Sequence, residues 1–226
     1  DLRRKNDQLE EFTQIVSHNL RSPVGNILTL ITFMETSTSD EDKGQYMKFL
    51  KESSSIALTT LEELNEVLKV KQNESIEKQV LQFEQVFNQV MTMISAKITE
   101  KSAEITSDFS RAPSILYPNI YLESIFLNLL TNALKYSKPD QRPLIKIATY
   151  YVKKDIILEV RDNGLGINLE RYRHHLFKLQ KTFHKHPESR GIGLFMIKNQ
   201  IEAMGGEISV ESQENIGTTF FINFNK

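Results

Sequence analysis

The chain has 226 residues, no cysteine, and 28 lysine and arginine residues against 29 aspartate and glutamate residues. The absence of cysteine excludes a disulfide scaffold and a thiolate nucleophile, and the balanced charge gives no reason to expect a nucleic acid partner. The sequence contains no apolar run of about eighteen residues and no signal-peptide pattern, so we expect a cytoplasmic location for this part of the protein.

Two helices are predicted at the N-terminal end. Apolar residues recur every three or four positions from Phe12 to Met34, which predicts a first helix that ends near Glu35. The same spacing from Tyr46 to Leu68 predicts a second helix that ends near Lys71. One helical hairpin buries too little apolar surface to be stable alone. We therefore expect a homodimer in which two hairpins form a four-helix bundle.

The first sixteen residues contain a seven-residue apolar repeat. Apolar residues recur at intervals of seven at Leu2, Leu9 and Val16. This spacing indicates a short coiled coil, and the sequence begins inside it. We therefore expect an upstream sensor domain in the full-length protein, and membrane anchorage through that missing part is an open possibility.

One histidine lies opposite the apolar stripe of the first helix. On a helical wheel of about 100° per residue, His18 shares the polar face with Arg21 and Ser22. Pro23 follows five residues after the histidine. From the residues alone, His18 is either offered to a partner or is a solvated surface histidine before a proline kink.

The pattern changes near residues 72–74 from a helical period to short strands alternating with helices. This change predicts two domains, at residues 1–73 and 74–226. We predict a mixed sheet with helices on one face for the second domain. Its predicted strands are residues 77–82, 104–109, 144–151, 156–161, 207–212 and 218–223, its predicted helices are residues 83–97, 119–136 and 194–204, and residues 168–190 are predicted to be a loop.

Polar side chains recur on one face of the predicted helix at residues 119–136. Asn128, Asn132 and Lys135 or Tyr136 are three or four residues apart. Amide oxygens can ligate Mg²⁺, a lysine supplies charge and an aromatic ring can cover a base, so this face suits a nucleotide polyphosphate. The alternative is that the asparagines bond neighbouring backbone.

Two glycine-containing segments lie next to predicted strands or helices. The strand at residues 156–161 leads into Asp162, Asn163, Gly164, Leu165, Gly166 and Ile167. Glycines permit close backbone approach, and the Asp162 carboxylate can accept a hydrogen bond from a base amine, although this pattern alone more often marks a turn. The second segment opens a helix, where backbone amides can hold phosphate oxygens, and comprises Gly191, Ile192, Gly193 and Leu194.

In this order, the segments resemble those of the sensor histidine kinases of two-component signalling. Residues 17–23 resemble the H-box and residues 128–137 the N-box, and the G1, F and G2 boxes are similar to residues 161–167, 176–183 and 189–194. The resemblance covers about residues 12–224. It implies a dimerisation and phosphoacceptor hairpin, followed by an α/β sandwich with the Bergerat ATP-binding fold.

The resemblance also implies roles for single residues. His18 is the implied phosphoacceptor, with Asn19, Arg21 and Ser22 beside it in the H-box. Asp162 is the implied reader of adenine in ATP, and Asn132 the implied ligand of Mg²⁺. The phosphoryl group is expected to pass to the receiver domain of a response regulator. The other implied nucleotide contacts are Asn128, Lys135, Tyr136, Gly164, Gly166, Ile167, Gly191, Ile192, Gly193, Leu194 and Thr218.

Three residues depart from common patterns. Asn19 stands where most of the family has an acidic residue, so we expect slow but real autokinase activity. Ser189 replaces the usual first glycine of the G2 box. Asn128 stands where related hydrolases of this fold carry a glutamate that activates water, which favours phosphoryl transfer over hydrolysis. A nucleotide-binding dimeric scaffold without transfer and an ATP hydrolase are the alternative hypotheses.

Overall fold

The computed structural model describes residues 20–72, 77–172, 176–177 and 193–224. The chain divides into two compact units, Asp1–Gln72 and Asn73–Lys226. Within the described part of the chain, no helix has the length and apolar character needed to cross a membrane. The role of the first unit as a phosphoacceptor domain stays a prediction.

Two helices form the described part of the first unit. Helix α1 includes residues 20–36, and helix α2 spans Asp40–Gln72. Oγ of Ser39 caps the start of α2 by accepting a hydrogen bond from N of Asp42 at 3.3 Å. Acidic residues in the first turn of α2 favourably oppose the positive end of its helix dipole. The turn and the start of α2 are therefore encoded locally.

One stripe of each helix is at least partly buried. In α1 the stripe has spacings of three and four residues and consists of Leu20, Pro23, Ile27, Leu30 and Met34. The corresponding positions of α2 are Lys43, Tyr46, Leu50, Ser53 and Ala57. The two helices contact each other through the rings of Phe33 and Tyr46, whose centroids are 5.8 Å apart.

A second apolar stripe of the first unit is exposed. We call it the exposed apolar stripe, and its side chains are between 41% and 63% exposed. It consists of Val24, Leu28 and Ile31 on α1 and Met47, Leu58 and Leu61 on α2. Ile31 is one of the apolar residues between Phe12 and Met34 that predict a single stripe, but in the structure its side chain belongs to the exposed apolar stripe.

The second unit contains two sheets. Strands β1 (Gln79–Gln82) and β3 (Ser114–Tyr117) pair antiparallel as a small sheet. The larger sheet has the strand order β2-β4-β5-β7-β6, in which β2 and β4 are parallel and the other neighbours are antiparallel. Its strands are β2 Glu104–Asp108, β4 Leu144–Val152, β5 Asp155–Asp162, β6 Glu207–Gln213 and β7 Gly217–Asn223.

The helices of the second unit supply much of its core. They are α3 Phe83–Met93, α4 Ser95–Lys101, α5 Asn119–Lys135, α6 Leu169–Tyr172 and α7 Gly193–Ala203. Along β4, β5 and β7 buried residues alternate with more exposed ones, so one face of the sheet is buried. The ring of Phe126 from α5 lies 5.9 to 6.4 Å, between centroids, from the rings of Phe83, Phe87 and Phe109.

The predicted mixed sheet is confirmed, and each predicted strand begins and ends within two residues of an observed one. Helices α5 and α7 lie within one residue of their predicted bounds. The prediction of a single helix at residues 83–97 is wrong, because the chain turns at the buried Ile94 and continues as α4. Strand β3 was not among the predicted strands.

The predicted loop at residues 168–190 is only partly described. Leu169–Tyr172 form the short helix α6, which the sequence analysis missed. Residues 173–175 and 178–190 lie outside the described residues.

We expect Phe126→Ala to lower the free energy of unfolding of the second unit by about 3–5 kcal/mol, because it removes a fully buried ring from the phenylalanine cluster. Urea denaturation followed by circular dichroism measures the change. Met93→Ala is the control, since this side chain is exposed and its loss should change stability by less than about 0.5 kcal/mol. Equal losses in the two variants would contradict the assignment of the core.

Candidate nucleotide-binding site

Three segments distant in sequence meet at one end of the larger sheet. Asp162 is the last residue of β5, and it lies opposite Thr218, near the start of β7. The end of α5 joins them, because N of Leu165 donates a hydrogen bond to O of Tyr136 at 2.9 Å. The predicted contacts Asp162, Thr218 and Tyr136 are thus brought to one region by the fold.

The Asp162 carboxylate is half-buried and held by backbone amides. Its Oδ1 accepts hydrogen bonds from N of Gly164 at 2.8 Å and from N of Thr218 at 3.3 Å. Among the described residues, no donor contacts Oδ2, so this oxygen is available to a ligand. Burial raises the pKa of Asp162 above its ordinary value, although the two amides and the charge of Lys138 oppose this shift.

The segment after Asp162 is fastened to the turn between β6 and β7. O of Leu165 accepts a hydrogen bond from N of Asn215 at 2.7 Å, and N of Ile167 donates to Oγ of Ser212 at 2.8 Å. Gly166 has a φ of +65°, and any side chain there would overlap the carbonyl of Gln213. Only glycine fits this position without moving the backbone.

Ser212 was missed by the sequence analysis. Its Oγ contacts O of Gly217 at 2.8 Å and Oγ1 of the buried Thr218 at 2.9 Å, besides N of Ile167. A serine near the end of a strand has no distinguishing local pattern, so only the neighbouring strands reveal its contacts. Ser212 therefore connects the segment after Asp162, through N of Ile167, with the start of β7, through Gly217 and Thr218.

Asn163 lies in the glycine-containing segment after β5, and the sequence analysis assigned it no role. Its Oδ1 accepts a hydrogen bond from N of Leu144 at 2.9 Å, and its Nδ2 donates to O of Arg142 at 3.0 Å. Arg142 in turn donates through Nε to O of Ser102 at 2.8 Å and pairs with Glu104 at 3.1 Å. These contacts fasten the end of β5 to the start of β4 and to the edge strand β2.

The polar face of α5 meets the start of α7. Asn128 and Asn132 are half-exposed, one turn apart. Nδ2 of Asn128 donates to O of Ser124 at 2.9 Å, which is the local backbone bond considered as an alternative to ligand binding. Its Oδ1 lies so close to Gly193 that a side chain at that glycine would overlap it. Nζ of Lys135 lies 5.6 Å from the centroid of the Tyr136 ring.

Other candidate residues fall into two groups. Leu194, in the first turn of α7, is half-exposed, and Arg21 and Ser22 are exposed on α1 of the first unit. His18, Asn19, Gly191 and Ile192 lie outside the described residues. The roles of all these residues stay predictions.

Comparisons with known proteins agree with this architecture. Residues 119–226 match the family described as histidine kinase-, DNA gyrase B- and HSP90-like ATPases. Cyanobacterial phytochrome A from Nostoc sp. is 28% identical over 98% of this chain. The sensor protein kinase WalK from Staphylococcus saprophyticus is 26% identical over 94% of this chain. The chain spans only 29% and 36% of the length of these two relatives.

Solved structures show the same fold. Histidine kinase ThkA, in complex with the response regulator protein TrrA, aligns with a TM-score of 0.78 and 19% identity, covering 98% of this chain and 63% of that one. Histidine kinase AdeS from Acinetobacter baumannii aligns with a TM-score of 0.70 and 20% identity, covering 92% of this chain and 97% of that one. Full-length ShkA in complex with AMPPNP aligns with a TM-score of 0.65 and 21% identity, covering 95% and 45%.

The family match begins at the first residue of α5 and includes Asp162, Thr218 and the two glycine segments. The relatives extend the similarity over the preceding helices, because they align with 94% or more of the chain. Residues 119–226 therefore match the family of histidine kinase-, DNA gyrase B- and HSP90-like ATPases, and the chain as a whole is similar to proteins named as sensor histidine kinases.

Proposed function

We propose that this chain is the catalytic core of a sensor histidine kinase, which transfers the γ-phosphoryl group of ATP to His18 and then to an aspartate of a response regulator. The observation that carries the proposal is the half-buried carboxylate of Asp162. One of its oxygens is fixed by two backbone amides, and the other is available to a ligand donor.

Asp162 reads the adenine base in this proposal. The exocyclic amine of adenine donates to Oδ2 while Gly164 and Thr218 hold Oδ1. A hydrogen bond to a charged acceptor in a partly buried site is stronger than one in water, so this contact contributes affinity as well as specificity. The ShkA structure in complex with AMPPNP supports nucleotide binding by this fold.

The phosphates lie between α5 and the start of α7. The Lys135 ammonium supplies positive charge, and the first amides of α7, from Gly193 and Leu194, donate to phosphate oxygens. Mg²⁺ usually has one or two protein ligands and takes the rest from phosphates and water. The half-exposed Asn132 amide fits such a site, because it offers one hard oxygen on the same face as Asn128. Bound Mg²⁺ neutralises phosphate charge.

Phosphoryl transfer begins with the neutral imidazole of His18. A ring nitrogen attacks the γ-phosphorus, the bond from that phosphorus to the bridging oxygen breaks, and ADP leaves. The proton on the other ring nitrogen passes to solvent, because the Asn19 amide is not a base. Asn128 is likewise no base, so it cannot activate water for hydrolysis.

The exposed apolar stripe supports a dimer. Six large apolar side chains in contact with water on one helix pair favour association with another apolar surface. A second copy of the chain supplies that surface in a four-helix bundle. The ThkA complex with TrrA supports a response regulator as the phosphoryl acceptor. An upstream sensor domain is supported by relatives named as a phytochrome and a sensor protein kinase.

The proposed activity is tested by incubating the chain with γ-labelled ATP and Mg²⁺, beside His18→Ala. We expect label on the wild type that is lost in acid, stable in base and absent from the variant, because phosphorus bonded to histidine nitrogen has this stability. Nucleotide binding without labelling would instead favour the dimeric scaffold, and phosphate release without labelling would favour the hydrolase.

We expect Asn19→Asp to raise the rate of autophosphorylation by about tenfold or more, because a carboxylate accepts the proton that the amide cannot. Initial rates of labelling at saturating ATP measure the effect. Asn19→Gln is the matched control, since it keeps an amide and should not accelerate the reaction. A rate for Asn19→Asp at or below that of the wild type would contradict the role of Asn19.

Asp162→Asn is expected to have opposite effects on stability and binding. Because burial raises the folded-state pKa, the native state holds this proton more tightly than the unfolded state. The contribution of Asp162 to stability is therefore present below the unfolded-state pKa and is lost as the pH rises through the folded-state pKa. At pH 7 the variant, which never ionises, should be more stable than the wild type.

The same substitution should raise the Kd for ADP by about 10- to 100-fold, because an amide nitrogen replaces the acceptor Oδ2. In the wild type, affinity for ADP should fall as the pH drops through the pKa of Asp162. Thermal unfolding and calorimetric titration measure the two effects. Asp140→Asn is the control for the loss of charge, since Asp140 is exposed and should change neither quantity. Unchanged ADP affinity in Asp162→Asn would refute base reading by Asp162.

A further inference from the structure

We propose that Ser212 contributes to base specificity by fixing the hydroxyl proton of Thr218, so that the side chains of Asp162 and Thr218 both present acceptors and favour an amino group over a carbonyl at position 6 of a purine. The inference rests on the proposed function, in which Asp162 reads the base. It adds a positioning residue in β6 and states how that residue acts.

Three side chains form a row across adjacent strands. Asp162 in β5 lies opposite Thr218 in β7, and Thr218 lies opposite Ser212 in β6. Directly opposed residues of antiparallel strands point to the same face of a sheet. The three side chains therefore share one face, and Thr218 stands between the carboxylate and the serine.

The three contacts of Ser212 use its full hydrogen-bonding capacity. A hydroxyl donates one hydrogen bond and accepts two. N of Ile167 can only donate, so its contact at 2.8 Å occupies one lone pair of Oγ. O of Gly217 can only accept, so its contact at 2.8 Å takes the Ser212 proton. Any other arrangement leaves two oxygens at 2.8 Å without a proton between them, which is repulsive.

The remaining contact sets the direction of the Thr218 hydroxyl. Oγ1 of Thr218 lies 2.9 Å from Oγ of Ser212, whose own proton is already given to Gly217. Thr218 must therefore donate its proton to the second lone pair of Ser212. Once that proton is committed, Oγ1 of Thr218 has only lone pairs for a ligand, as Oδ2 of Asp162 does.

Two acceptors that face position 6 of a purine discriminate between an amino group and a carbonyl at that position. The amino group at position 6 of adenine carries two protons, which match acceptors either directly or through a bridging water. The carbonyl at position 6 of hypoxanthine has only lone pairs, so it would face the acceptors without a proton. A buried polar group left unpaired is penalised, and Thr218 is buried here. Without Ser212, the Thr218 hydroxyl could rotate and donate to a carbonyl.

The experiment measures Kd for ADP and for inosine diphosphate by calorimetry, using the full chain. Wild type should bind ADP more tightly, and in Ser212→Ala the ratio of the two Kd values should fall roughly fivefold. Ser212→Thr, which keeps the hydroxyl, should restore most of the ratio. Ser209→Ala is the matched control, because Ser209 is exposed on the same strand and its loss should not change the ratio. A parallel loss of both affinities in Ser212→Ala, with the ratio unchanged, would show that Ser212 only fastens the hairpin and would overturn the inference.

A double-mutant cycle keeps the inference testable if the alanine variant is unstable. Thr218→Val removes the hydroxyl that Ser212 orients and should lower the same ratio, and adding Ser212→Ala to it should have no further effect on the ratio. Additive effects of the two substitutions would overturn the inference.

Asp162→Asn distinguishes a failure of base reading by Asp162 from a failure of the role of Ser212. If Asp162→Asn leaves the ratio of the two Kd values unchanged, base reading by Asp162 fails. If Asp162→Asn changes the ratio but Ser212→Ala does not, only the role of Ser212 is refuted.

Discussion

The antiparallel pairing of β5 with β7 is the constraint on which the candidate site depends. It places Thr218 opposite Asp162, so that a backbone amide of β7 reaches a carboxylate that ends β5. The pairing of β7 with β6 then brings Ser212 into the same row. Because the register of these strand pairs aligns the row, a shift of one strand by one residue would turn its side chain to the other face of the sheet.

The site carries a cost in stability that its function explains. Burial raises the pKa of Asp162, which means that the folded protein holds a charge there less readily than water does. Two backbone amides offset part of this cost and leave one carboxylate oxygen for a ligand. In the proposed function, the amino group of adenine donates to that oxygen.

The two units of the chain differ in how far they bury their apolar side chains. The second unit has a core of buried residues, including the phenylalanine cluster around Phe126. Among the residues of the first unit whose burial the structure describes, only Pro23 and Ser53 are buried, and the exposed apolar stripe stays in contact with water. A helix pair with this distribution of apolar side chains is understandable as half of a larger bundle, which agrees with the dimer we propose.

The sequence by itself determined most of the elements of the second unit, because apolar periodicity records which face of a helix or strand is buried. It predicted α5, α7 and six of the seven described strands, and its motifs named Asp162, Gly166 and Thr218. The tertiary structure alone decided that β7 lies between β5 and β6, and hence that Ser212 contacts Ile167, a residue 45 positions away. Periodicity describes one element at a time, whereas a hydrogen bond between strands depends on which strands are neighbours and in what register. The contacts of Asn163 with Leu144 and Arg142 were beyond the sequence for the same reason.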